Sequence, residues 1–186
     1  MRILVDYRPA LRHRTGVGEY AHELIRALAR TRSETDEELT LFSASWKDRL
    51  PPEVVPGAAV LDRRIPNRML NFAWHRLGWP TIERISGRSF DVVQTFHPLL
   101  MPSKRAAQLI TVHDLDFLDH PERTVREIRR DYPALARQHA ARADHVIVNS
   151  QTTARDVRER LGVAPAQITV CTPGAPAWPG REHEPA

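Results

Sequence analysis

The sequence predicts an α/β fold with an open, mainly parallel sheet and helices on both faces. Three observations lead there. Short apolar runs alternate with stretches of helical period along the chain. Polar residues able to bind or catalyse come directly after those runs. Asp6-Tyr7-Arg8 follows Ile3-Leu4-Val5, Gln94 to Pro98 follows Val92-Val93, His113-Asp114 follows Leu109 to Val112, Asn149-Ser150 follows Val146 to Val148, and Cys171 to Gly174 follows Ile168 to Val170. Finally, 186 residues, 41% of them hydrophobic, suffice for one domain with a full core. Ligands of such sheets bind in the crevice outside the carboxyl ends of the strands. The polar residues therefore read as one rim of a single site, for which the sequence holds no matching second rim.

Taken in order, the first strand spans about 2–6. Val17, Tyr20, Ala21, Leu24 and Leu28 recur at helical spacing, which predicts a helix over 16–31. Thr15 is its candidate N-cap, and Arg30 and Arg32 suit the negative end of its dipole. After the polar turn from Ser33 to Glu38 come strands at 39–42 and 59–61, separated by a proline-rich loop. Residues 66–86 read as two helical pieces broken at Pro80, with Leu70, Ala73, Trp74 and Leu77 as the apolar stripe of the first. Strands follow at 91–95 and 108–112, then a helix over 121–142 bent or split at Pro133, and a strand at 145–149. Ser150 caps a helix running to Leu161, which Gly162 and Pro165 end. A last strand covers 167–171. The domain is assigned to 1–178, with 179–186 a proline-rich linker or tail.

Composition narrows the function classes. The net charge of +4 is spread along the chain rather than gathered on one element, which argues against nucleic-acid binding. A single cysteine, Cys171, excludes an internal disulfide and a cysteine-based zinc site. With a start that runs straight into a strand and lacks a signal-peptide pattern, a cytoplasmic location is expected. No stretch approaches the ~18 apolar residues that span a bilayer.

Several segments carry chemistry. Gly16-Val17-Gly18 sits where a strand meets a helix; glycines there let a phosphate approach, and the helix start supplies amide hydrogens. The same residues also suit a plain tight helix start. His113-Asp114 ends the most continuously apolar strand, and His97 follows its neighbour. A metal site from His97, His113, Asp114 and Asp116 is a rival reading, but no fixed-spacing metal signature is present. Ser150 reads first as an N-cap; without a G-x-S-x-G elbow it is not a hydrolase nucleophile. Residues 63–88 mix Arg63, Arg64, Arg68, Arg76, Arg84 and Arg88 with Met69, Phe72, Trp74 and Trp79. That mixture suits an interfacial helix on anionic lipid, or a packed helix with a solvated basic face.

In this order the chain resembles the N-terminal domain of family 4 glycosyltransferases of the GT-B fold. The resemblance is carried by Thr15-Gly16-Val17-Gly18-Glu19-Tyr20, Asp91-Val92-Val93-Gln94 with Phe96-His97-Pro98, Thr111 to Leu115, Ala143 to Ser150, and Ile168-Thr169-Val170 before Pro173-Gly174. It implies a Rossmann-like half of a GT-B enzyme, one that retains anomeric configuration and moves a sugar from a nucleotide-sugar to a glycan or lipid-linked acceptor. As a rule such enzymes need no metal and no cofactor beyond the nucleotide-sugar co-substrate. It implies Gly16, Val17 and Gly18 as the donor-phosphate loop and His113 with Asp114 as the catalytic pair. Arg8, Arg12, Arg14, His97 and Ser150 are assigned to acceptor or phosphate contact. The C-terminal donor-binding domain of these enzymes has no counterpart in 186 residues, so little activity is expected from them alone. Two other classes stay open: a non-catalytic acceptor- or partner-binding module in polysaccharide assembly, and a nucleotide-binding oxidoreductase or epimerase domain. The second expects an acid at the end of the second strand, where the chain has Phe42-Ser43-Ala44-Ser45. Peripheral contact with the inner face of a membrane is a further expectation.

Overall fold

The computed structural model describes residues 1–12, 14, 16–31, 37–123 and 131–174. Seven strands form one sheet: β1 (Arg2–Asp6), β2 (Glu38–Ala44), β3 (Ala59–Arg63), β4 (Val92–Thr95), β5 (Ala107–Val112), β6 (His145–Val148) and β7 (Ile168–Val170). Their order is β3-β2-β1-β4-β5-β6-β7, and each adjacent pair is parallel. The chain builds outward from β1 through β2 to β3, then returns to lay β4 on β1's other side. Between β1 and β4 the direction of building reverses, so the carboxyl ends of these two strands flank the crevice where such sheets bind ligands.

The strands are apolar on both faces, as burial under helices requires. Leu4, Phe42, Leu61 and Val93 pack against Leu70 and Trp74 of α2 (Asn67–Leu77) and Ile82 of α3 (Ile82–Ser86). Val5, Leu39 and Leu41 turn the other way, onto Ala21 and Ile25 of α1 (Val17–Thr31). Farther along, Ile110, Val112, Val146 and Val148 meet Ala140 of α5 (Tyr132–Arg142). Beside it packs α6 (Gln151–Asp156), whose last turns widen into a π-helix over Val157–Leu161. The fold is thus a Rossmann-like sheet with helices on both faces.

At the amino edge, aspartates stitch neighbouring strands together. Asp91, just before β4, accepts the Arg2 N–H of β1 (2.6 Å), and Asp144, just before β6, accepts the Gln108 N–H of β5 (2.7 Å). Arg88 reaches across from the α3–β4 connection to Thr40 of β2 (2.9 Å).

Some expectations change. Pro133 lies in the first turn of α5, where a missing N–H costs nothing, so this helix begins at the proline rather than running through it. At the start of the stretch read as that helix, Pro121–Arg123 form a 3₁₀ turn, preceded by the single turn α4 (Asp116–Asp119), while 124–130 lie outside the described residues. Leu77 does not extend the apolar stripe of α2: it is 68% exposed, because the helix ends there and Gly78 turns the chain away. Thr15, Arg32 and the tail at 179–186 also lie outside the described residues. The break at Pro80 and the caps of α6 stand as read. Ser150 accepts the Thr153 N–H (3.0 Å), and Gly162 takes the left-handed conformation (φ 74°) that a side chain disfavours.

Candidate active site at the carboxyl edge of the sheet

Two groups of polar residues gather at this edge, one toward α1 and one toward α2. On the α1 side, Gly16 has φ 52°, a left-handed conformation that glycine adopts without strain, and its carbonyl accepts the Tyr20 N–H (3.0 Å) as the helix begins. Val17 and Gly18 then open α1, whose first amides lack intrahelical acceptors. His113, just beyond β5, stands edge-on to the Tyr20 ring, with centroids 4.8 Å apart. Burial pushes the His113 pKa down, against the opposing pull of Asp114 and of a hydrogen bond to the Phe96 carbonyl. Nε2 of His113 is buried without a partner, so the carbonyl bond belongs to Nδ1–H. The neutral ring therefore presents Nε2 as a free acceptor. The Tyr20 hydroxyl is buried beside the Cys171 thiol, and burial and that thiol push its pKa up. Asp114 is exposed and its Oδ1 accepts the Asp116 N–H (3.0 Å), starting α4.

On the α2 side, Asp6 ends β1 wholly buried. Arg8 returns onto it: its Nε donates to Oδ1 (2.8 Å), its Nη2 to Oδ2 (2.7 Å) and its backbone N–H to Oδ1 (3.1 Å). Nη1 of Arg8 donates to Asn67 (2.9 Å) and Asn71 (2.8 Å) of α2, and the guanidinium lies over the Trp74 ring, 4.8 Å from its centroid. Four of the five guanidinium N–H donors are thus engaged within the protein. His97 accepts the Leu99 N–H at Nδ1 (3.2 Å) and directs Nε2 at Asp6 (3.4 Å). Burial alone would raise the Asp6 pKa, but Arg8 and His97 outweigh it and hold the carboxyl well below the usual range.

Two further histidines complete this side. His139 accepts the Leu100 N–H at Nδ1 (2.8 Å), and its ring stands edge-on to His75, with centroids 6.0 Å apart. Burial, with nearby His97, His139, Arg8 and Arg76, pushes His75 down to about 3. Burial, with Arg142 and His97, pushes His139 down to about 4. Both are neutral at pH 7.

The remaining residues of the predicted set are placed as follows. Nη1 of Arg14 donates to His22 Nε2 (3.0 Å), so Nδ1–H of the neutral ring donates to the Tyr7 hydroxyl (2.7 Å). Burial and Arg14 both lower the His22 pKa. Arg12 pairs with Asp48 and lines, with Arg8, a cavity of about 650 Å³ beside the ends of β1 and β2. Ser150 is occupied by its capping bond. Gly16, Val17, Gly18, Arg14 and His113 gather toward α1, whereas Arg8 and His97 gather toward α2. His97 and His113 thus turn to different sides, and among the described residues no cluster of three or more His, Cys, Asp or Glu is arranged to hold a metal.

Asp6 stands in the sequence only as one of the strand-end residues, with no role of its own, and His22, His75 and His139 do not stand out there. The position of Asp6 at a strand end was a signal; the histidines lie inside helices, and only the packing of those helices brings them to this edge.

The chain belongs to glycosyltransferase family 4. The model of that family, Glycosyltransferase Family 4, matches residues 14–177. Among solved structures the chain is similar to sucrose-phosphate synthase from Thermosynechococcus elongatus, at 16% identity and a TM-score of 0.64. That match covers 94% of this chain and 48% of the other, so the chain spans about half the length of that protein. A comparison with curated proteins finds no match.

Two predictions follow from this geometry. Arg8→Ala leaves the buried Asp6 carboxylate with only His97 beside it and should cost about 3–5 kcal/mol in urea unfolding. Arg12→Ala, which breaks a more exposed pair, should cost far less; equal costs would refute the distinction. Stability should also fall with acid. His75 and His139 have folded pKa values below an unfolded value near 6.5, so unfolding takes up protons below that pH. Their contribution is complete above about pH 6.5 and shrinks on acidification, each histidine adding a slope of up to about 1.4 kcal/mol per pH unit. Urea midpoints between pH 7.5 and 5 measure this, and His139→Gln should flatten the slope. A wild-type midpoint that does not move over that range would overturn the assignment.

Proposed function

We propose that this chain is the acceptor-side half of a retaining glycosyltransferase, moving a sugar from a nucleotide-sugar donor to a glycan or lipid-linked acceptor. The observation that carries this reading is the free, buried Nε2 of His113 beside the glycine-opened start of α1. A hydroxyl of the transferred sugar would donate to Nε2. The donor diphosphate would lie against Gly16, Val17 and Gly18, where the first-turn amides and the helix dipole favour negative charge. Arg14, held by His22, adds positive charge near that loop. In the transfer, the bond from the anomeric carbon to the diphosphate oxygen breaks and a bond to the acceptor oxygen forms. The acceptor's hydroxyl proton passes to the departing diphosphate. Stabilising the charge on that diphosphate is the main catalytic effect asked of the protein. The nucleotide itself would be held by a donor-binding domain facing this edge, and acceptor contacts would come from Arg12 and the α2 side.

Membrane contact belongs to the same proposal. Met69, Phe72, Leu77 and Trp79 of α2 and the turn after it are 55–68% exposed, and Arg68, Arg76 and Arg84 lie in the same stretch. Apolar side chains among arginines suit the surface of an anionic bilayer at its cytoplasmic face.

Residues 1–186 alone should give negligible transfer from any nucleotide-sugar. In the enzyme with its donor-binding half, purified from its source cells, His113→Ala should lower kcat by about 10²–10³ with the fold unchanged. Rapid, saturable transfer by the isolated chain would refute the half-site reading, and an unchanged kcat would remove His113. In liposome co-sedimentation, binding to anionic vesicles is expected at low salt and should weaken as salt rises; no binding at low salt would remove the membrane contact.

A further inference from the structure

α1 buries a histidine in its second turn. His22 is 5% exposed, and both of its ring nitrogens are occupied. Nε2 accepts Arg14 Nη1 (3.0 Å), and Nδ1–H donates to the hydroxyl of Tyr7 (2.7 Å), itself buried just after β1. The Tyr7 ring stands edge-on to the imidazole, with centroids 6.0 Å apart. Tyr7 therefore fixes the tautomer, leaving Nε2 as the acceptor that Arg14 meets. Arg14 is exposed and stands two residues before Gly16. An exposed arginine samples many rotamers, and the bond to His22 selects among them. Glu23 Oε1 lies 4.0 Å from the same Nε2 while it accepts Arg26 Nη1 (2.9 Å). Nε2 thus has in reach a cation that requires its lone pair and a carboxylate suited to its proton. Among the described residues, the charged and titratable groups facing the ring are Tyr7 and Arg14 from the segments before α1, and Glu19, Glu23 and Arg26 from α1 itself.

We infer that His22 is a positioning residue for Arg14 and a proton switch on it. With the ring neutral, Nε2 holds Arg14 near the glycine-opened start of α1. When Nε2 takes a proton from solvent, its lone pair is gone, and imidazolium and guanidinium become two cations with donors facing each other. Nε2–H then turns to the Glu23 carboxylate, and Arg14 is released. The inference rests on the glycosyltransferase reading for the identity of the anion that Arg14 serves, the donor diphosphate, and adds an acid control of that site. Burial and Arg14 lower the imidazole's pKa, with Glu23 and Glu19 pulling the other way. The ring is therefore neutral at pH 7, and the switch works on the acid side of about pH 6.5. A histidine that merely gained charge beside an anion site would hold the anion more tightly in acid. The switch demands the opposite, because the proton gained by the buried ring costs the guanidinium its anchor.

The test follows the 186-residue chain by NMR from pH 8 to 5. It reads the His22 ring nitrogens, the Arg14 guanidinium and the amides of Gly16 and Gly18, with and without inorganic sulfate, whose charge is constant over that range. The Arg14 signals should change with the same midpoint as His22. Sulfate, detected at Gly16 and Gly18, should bind about tenfold more weakly to the protonated form than to the neutral one. His22→Gln, whose amide oxygen can accept from Arg14 but cannot titrate, should flatten the profile, and His22→Ala should weaken binding at every pH. Glu23→Gln alters a partly exposed side chain that the fold does not need, and it should move the His22 midpoint to lower pH; Arg14→Gln should move it to higher pH. Tighter sulfate binding in acid, an unaltered profile in His22→Gln, or Arg14 signals that ignore the His22 titration overturns the inference. So does an unmoved midpoint in Glu23→Gln, or the absence of sulfate binding at every pH. Failure of the transferase reading looks different. A working switch in an enzyme that carries its donor-binding half and transfers no sugar leaves the switch and removes the reading. Transfer whose KM for the nucleotide-sugar has the same pH dependence in wild type and in His22→Gln does the reverse.

Discussion

The buried pair of Asp6 and Arg8 is the constraint on which the carboxyl edge depends. An isolated carboxylate at the end of β1 would cost several kcal/mol to desolvate. Arg8 meets that cost with three N–H donors to one carboxylate, two of them from the guanidinium. The same guanidinium then reaches Asn67 and Asn71 and lies over Trp74, so the charge that neutralises β1 also fixes α2. His97 brings the end of β4 to the same carboxylate. One ion pair thereby ties together the two strands flanking the crevice and the helix that covers them. Arg8 acts here as a frame element more than as a hand extended to a ligand.

The histidines follow from this arrangement. A guanidinium close to buried imidazoles disfavours further positive charge, and burial acts in the same direction. His75 and His139 are therefore neutral, and His139 spends its Nδ1 lone pair on the Leu100 amide. The α2 side is a polar but internally satisfied region. The α1 side differs: His113 Nε2 is buried without a partner. Buried polar atoms are nearly always paired in folded proteins, and His113 Nε2 is an exception at this edge.

Much of the fold was legible because period and punctuation carry it. The runs ending at Val5, Val93, Val112, Val148 and Val170 are strands, and Ser150, Gly162 and Pro80 mark boundaries for reasons of backbone chemistry alone. Pro133 leaves bend and split both open, because the same residue both starts and breaks helices; which it does depends on where the helix begins, and no local pattern announces Tyr132. Leu77 had the right spacing for the core and was exposed by the turn at Gly78. In the site, strand-end residues were visible as a class, but strand order decides which of them meet. His75 and His139 approach only because α2 and α5 cover the same face, a long-range fact with no signature in either helix.

Every strand runs the same way, so the molecule has two edges with separate duties. Asp91, Asp144 and Arg88 fasten the strands at the amino edge, far from the loops that carry chemistry. Those loops hang from strand ends already secured from the opposite side. A lineage built on this frame can therefore exchange its ligands by rewriting loops at one edge, while the fastenings at the other continue to hold the sheet in register.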